Sequence, residues 1–127
     1  MYSRLKITGG RPLSGEITVQ GAKNAVLPIL AAAFLFPGVS ILHNCPLISD
    51  VDVTLEILRT LGCHVTREGH DITVDASSPT SAEIPDHLMR KLRSSVIFLG
   101  AILARLGEVH LSYPGGYGTQ NVRKRLA

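Results

Sequence analysis

Lys23 and Asn24 stand directly ahead of an unbroken apolar run, Ala25–Phe36, that ends on Pro37-Gly38. Such a run reads as a buried helix from about Asn24, with Asn24 as its cap, to Phe36. Pro28 then falls in the first turn or just beyond, where a missing N–H matters least. A helix start offers free N–H groups and the positive end of the helix dipole, and a lysine beside it completes an anion site. The same two residues also suit a lysine lying along the surface beside an ordinary Asn cap. Arg93 repeats the arrangement ahead of a second apolar stretch, with Ser94 and Ser95 as hydroxyl donors. A guanidinium grips phosphate or carboxylate as a two-pronged fork, which an ammonium cannot do; a plain surface arginine is the other reading.

The elements that must position these residues follow from turn chemistry and periodicity. Leu5–Thr8 and Glu16–Gln20 alternate like strands on either side of Gly9-Gly10-Arg11-Pro12. Val39–Leu42 reads as a short strand. Ser49-x-x-Asp52 has the form of a capping box for a helix over Val51–Leu61, closed by Gly62. Cys63–Arg67 and Asp71–Asp75 form a hairpin around Glu68-Gly69. After a Ser77–Ser81 linker, a helical stretch runs from about Pro85-Asp86 to Leu106, with a break near Arg93. Gly107 stops it, and Val109–Ser112 form a strand that leads into Tyr113-Pro114-Gly115-Gly116.

Composition narrows the classes of function. The chain has 127 residues, 45% hydrophobic and 18% charged, which suits one domain with an aliphatic core, for Trp is absent. A formal charge of +3 is too small to argue for nucleic acid, and the densest basic cluster, Arg123-Lys124-Arg125, reads as a solvated tail. Cys45 and Cys63 have no C-x-x-C pairing, and the five histidines do not fall at metal-ligand spacing, so neither a disulfide framework nor a metal site is expected. Cys45, Phe98 and Tyr113 read as packing residues. The apolar run Ala25–Phe36 is too short to span a bilayer, and the first residues lack a signal pattern, so the expected location is cytoplasmic.

Sliding the chain against itself by 70 positions sets Lys23 on Arg93, Val26 on Val96, Leu27 on Ile97 and Ala31 on Ala101. Val39 then meets Val109 and Ile41 meets Leu111. Two unrelated buried helices would share some of these matches. The shared basic residue and following strand favour a repeat, with one complete unit at about 21–76 and an incomplete one at about 84–127.

The words of the sequence carry a resemblance. Gly15–Ala33 (GEITVQGAKNAVLPILAAA), Asp50–Asp52, Leu61–Val65, Met89–Gly100 and Leu111–Gly116 together resemble the UDP-N-acetylglucosamine enolpyruvyl transferases, in family order and spacing. The sister enzymes that act on 3-phosphoshikimate share the fold but usually follow the lysine with Ser, so Lys23-Asn24 favours the amino-sugar branch.

The resemblance implies an α/β fold of inside-out barrel type, built from repeat units. It also implies transfer of an enolpyruvyl group from phosphoenolpyruvate to a sugar 3′-hydroxyl in peptidoglycan synthesis, with no metal or organic cofactor. Lys23 and Asn24 match the phosphoenolpyruvate-binding pair, and Arg93 matches an arginine of the nucleotide-sugar site. Tyr117 stands where the family places a reactive cysteine, so no intact catalytic residue is expected. The family chain is several times longer and folds as two lobes, of which this sequence would supply part of one. The expected state is a truncated, inactive relative that associates with itself through exposed apolar helix surface. A working enzyme and a non-catalytic interaction module with a basic tail are the alternatives; neither nucleic acid nor membrane is an expected partner.

Overall fold

The computed structural model describes residues 3–91, 97–112 and 119–123. Among these residues are four helices, α1 (Lys23–Ala33), α2 (Ser49–Thr60), α3 (Asp86–Lys91) and α4 (Ile97–Leu106), and five strands. The strands are β1 (Val39–Leu42), β2 (His64–Glu68), β3 (Asp71–Asp75), β4 (Glu108–Ser112) and β5 (Thr119–Arg123).

The first sheet is antiparallel with order β1-β3-β2. Its register sorts side chains by the two-residue period of a strand. Leu42, Ile72 and Arg67 form one cross-strand row, and Ser40, Val74 and Val65 the next. Ile72 and Val74 in these rows are fully buried, so this face meets the helices. The opposite face carries Ile41, Thr73 and Thr66 in one row and leaves Val39 and Ile41 exposed. Glu68 pairs with Asp71 across a two-residue turn whose first central residue is Gly69 at φ 58°, as the sequence leads one to expect.

Helix α1 packs against both α2 and α4, and α2 also lies on β2. The core between them is aliphatic: Leu30, Val51, Ile57, Leu58, Leu61 and Ile102 are wholly shielded from solvent, with Phe34 and Phe98 as its aromatic members. Each such side chain contributes about 1.5–3 kcal/mol through burial. Thr54 is the buried polar member, and its hydroxyl donates to the Asp50 carbonyl one turn back at 2.7 Å. The second sheet pairs β4 with β5, and residues 82–84 run along the other edge of β4, with the Ile84 amide donating to the His110 carbonyl at 3.0 Å.

Several expectations from the sequence need correction. Leu5–Thr8 and Glu16–Gln20 form no strands, and Leu5, Ile7, Ile17 and Val19 are 79–92% exposed. Alternation alone does not hold a strand; it needs a partner ladder, and no described residue supplies one there. Helix α1 ends at Ala33 and not Phe36, and it is buried on one side only, leaving Ile29, Leu35 and Phe36 half exposed. Helix α2 begins at Ser49 with extended Ile48 as its cap residue, and the capping box does not form. Ser49 is itself the first helical residue and so is not the cap, and the Asp52 carboxylate pairs instead with Arg67 Nη1 at 2.9 Å. Of the basic cluster at the end of the sequence, Arg123 ends β5, opposite Glu108, and Lys124 and Arg125 lie outside the described residues. The break near Arg93 lies outside the described residues, as does Tyr113.

Cys45 and Cys63 are both buried and free, as the packing reading of Cys45 requires. Burial pushes both thiols above their ordinary pKa, with Arg67 pulling Cys45 and Arg105 pulling Cys63 the other way to a smaller extent. A folded pKa above the unfolded one gives stability that is present below the ordinary thiol value and lost as pH rises through the raised one. In the native chain near neutral pH both thiols should react with 5,5′-dithiobis(2-nitrobenzoic acid) roughly a hundredfold more slowly than free cysteine. In urea both should react at the free rate. Fast native reaction of either thiol would contradict this packing.

Candidate anion site at the start of the first helix

The chain enters α1 through a close approach. Gly21 lies so near the Asn44 carbonyl that a β-carbon there would overlap the oxygen, and it would also stand 3.3 Å from Pro46 Cδ. Ala22 is extended (φ −81°, ψ 132°) and Lys23 is already helical. This docking, and not a side chain, sets where α1 begins. Asn24 is therefore the second helical residue, exposed, and caps nothing, against the sequence expectation. Its amide and that of Lys23 have no acceptor among the described residues, whereas those of Ala25 and Val26 donate to the Ala22 carbonyl. The helix start thus keeps two free donors beside the positive end of its dipole.

The loop that receives Gly21 is clamped from the β2–β3 hairpin. Asn44 takes a left-handed conformation at φ 56°. The Cys45 amide donates to the His70 carbonyl at 2.7 Å, and His70 Nδ1–H donates back to the Cys45 carbonyl at 3.0 Å. A carbonyl only accepts, so Nδ1 carries the proton. Arg67 Nη2 donates to the Pro46 carbonyl at 3.1 Å. Between this loop and α1 lies an open cavity of about 380 Å³, with Gly21, Ala25, Ile29, Leu42, Asn44 and Cys45 in its wall.

Lys23 does not line that cavity. Its ammonium meets Asp50 Oδ2 at 2.6 Å, a contact between the first turns of α1 and α2. The lysine side chain is 58% exposed and that of Asp50 25%, so the cation remains open to a solute. Chemically the site offers one ammonium and two unused backbone amides, a set suited to an oxyanion such as phosphate or carboxylate. Sequence reasoning located Lys23 at the helix start. It did not connect Lys23 with Asp50, and no local pattern joins two residues that far apart. Gly21 and Arg67 were also missed as the residues that fix the approach and the loop. Arg93 and Tyr117 lie outside the described residues.

Residues 7–125 match the sequence profile of EPSP synthase (3-phosphoshikimate 1-carboxyvinyltransferase), nearly the whole chain. The chain belongs to this enolpyruvyl transferase family. It is 52% identical over 113 residues to UDP-N-acetylglucosamine 1-carboxyvinyltransferase 2 of Caldanaerobacter subterraneus subsp. tengcongensis, covering 89% of this chain and 27% of that protein. UDP-N-acetylglucosamine 1-carboxyvinyltransferase of Dichelobacter nodosus is 48% identical over 115 residues, with the same coverage. Among solved structures, the enolpyruvyl transferase NikO from Streptomyces tendae matches with a TM-score of 0.73 at 35% identity, over 82% of this chain and 24% of that one. The chain thus spans about a quarter of the length of the curated relatives it matches. The α/β architecture expected from the resemblance is the family's, present here in part. No helix among the described residues is long and apolar enough to cross a membrane.

Proposed function

We propose that this chain forms the part of a UDP-N-acetylglucosamine enolpyruvyl transferase that presents Lys23 and Asn24 to phosphoenolpyruvate and Arg93 to the nucleotide sugar. The observation that carries the reading is Lys23 at the first position of α1, a helix start whose first two amides are unused, with its ammonium 58% exposed against Asp50. Phosphoenolpyruvate brings a phosphate and a carboxylate, both of which suit such donors. The names of the relatives, at 48–52% identity, favour the amino-sugar substrate over 3-phosphoshikimate. In the complete reaction the enolpyruvyl group adds to the sugar 3′-hydroxyl and phosphate leaves, within the cytoplasmic synthesis of peptidoglycan. We also propose that residues 21–76 and 84–127 are two repeats of one helix-then-strand unit. The succession α1–β1 and α4–β4 supports this.

Calorimetry on the 127-residue chain tests the ligand assignment. We expect phosphoenolpyruvate and UDP-N-acetylglucosamine to bind at roughly millimolar Kd, about −4 kcal/mol. Lys23→Ala should remove the first heat and Arg93→Ala the second. Unchanged heats in both variants would show the two residues to be plain surface charges. Tighter binding of shikimate 3-phosphate than of the nucleotide sugar would move the chain to the sister branch.

A further inference from the structure

We infer that Asp50 is a positioning residue, which holds the Lys23 ammonium at the mouth of α1 so that it and the free amides converge on one anion. The inference rests on the proposed anion role of Lys23. It goes beyond that reading by assigning a second residue, from a different helix, without which the first would not be oriented.

Three observations carry it. The Lys23 Nζ–Asp50 Oδ2 contact is 2.6 Å, within direct reach of a charge-assisted hydrogen bond and at its short limit. The backbone of Asp50 is itself fixed: the buried Thr54 hydroxyl donates to its carbonyl at 2.7 Å, and the next residue, Val51, is completely buried in the core. The two residues also sit in the first turns of helices that pack on one another, so the carboxylate is a rigid post and the ammonium a tethered arm. A free lysine side chain samples many rotamers and loses that freedom when it grips a ligand. A lysine already held loses less, which is the sense in which Asp50 prepares the site.

A purely electrostatic view predicts the opposite sign. A carboxylate next to an anion site repels the anion and competes for the cation, so its removal should tighten binding. The test therefore turns on direction. On the 127-residue chain, phosphoenolpyruvate is titrated while the amide signals of Lys23 and Asn24 are followed by NMR. The Lys23 ammonium is observed directly through its own ¹H–¹⁵N signal. In the wild type that signal should be visible through slow proton exchange, and in Asp50→Asn it should vanish. Asp50→Asn should weaken phosphoenolpyruvate binding roughly fivefold, the effect of one lost oriented polar contact. Asp50→Glu keeps the charge and should recover at least half of that loss, which also answers for any unfolding in the Asn variant.

Equal or tighter binding by Asp50→Asn overturns the inference, as does a wild-type chain with no ammonium signal whether or not ligand is present. If Lys23→Ala binds phosphoenolpyruvate as well as the wild type does, the anion reading beneath it falls instead. The ammonium signal would then still decide whether Asp50 holds Lys23.

Discussion

Phe34→Ala should lower the unfolding free energy by about 3–5 kcal/mol, a large part of the 5–15 kcal/mol that a domain of ordinary stability has. Phe34 is completely buried at the end of α1, where the helix meets the core. It is also the point at which α4 grips α1. Arg105 Nη1 donates to the Phe34 carbonyl at 2.7 Å, and its guanidinium lies 5.3 Å from the centre of the Phe34 ring. The cation thus satisfies a carbonyl left over at a helix C-terminus and covers an aromatic face together. Removing the ring leaves a cavity in the core and strips the guanidinium of its platform. Phe34→Leu separates the two effects: it keeps most of the buried volume and should lose only about 1 kcal/mol from the cation–π contact, together with a modest repacking term. Urea unfolding of the three proteins by circular dichroism would read this order directly. An Ala variant within 1 kcal/mol of the wild type would mean that the α1–α4 contact is not where the stability lies.

Gly62→Ala should be nearly as damaging, at about 3 kcal/mol, although it adds a single methyl group. Gly62 closes α2 at φ 98°, a conformation that an L side chain adopts only under strain. The added carbon would also overlap the backbone nitrogen and the side chain of Thr80. That nitrogen cannot move aside freely, because it donates to the Leu61 carbonyl at 2.9 Å and so ties the 77–81 segment to the end of α2. Gly69→Ala provides the control: the φ is again positive, at 58°, but no atom lies within 4 Å of the new carbon. Only conformational strain remains there, about 1 kcal/mol. Equal losses in the two variants, measured by urea unfolding, would refute the steric part of the argument.

What was legible in the sequence was what local pattern determines. The β2–β3 hairpin, the β1 strand, the stop at Gly62 and the aliphatic stripe of α2 depend on residues close together in the chain, and they stand where periodicity put them. The errors fall where the outcome depends on a distant partner. Residues 5–8 and 16–20 alternate correctly but find no ladder among the described residues. The capping box at Ser49 does not form because α2 already starts at Ser49 behind extended Ile48, and Asp52 pairs instead with Arg67 from the hairpin. Asn24 does not cap α1 because Gly21 docks on Asn44 and the helix starts two residues earlier than an Asn24 cap would set it, with Ala22 in the cap position. The candidate site divides in the same way. Lys23 was visible from its place ahead of an apolar run, whereas Asp50, which meets it, was visible only once two helices had packed.

The β1-β3-β2 order also dictates a succession of events as the chain folds. Strands β2 and β3 are neighbours in sequence and can zip from their two-residue turn within about 1–10 μs. Strand β1 cannot join them then, since Leu42 finds Ile72 only after the intervening chain, α2 and β2 included, has been brought to order. The closure of that long loop is an entropic barrier that local propensity does nothing to lower. Until it is crossed, β3 presents a bare edge with Ile72 and Val74 uncovered, and that interval is when a second molecule can add its own strand in place of β1. Yield on refolding should therefore fall with protein concentration even where the final state is stable.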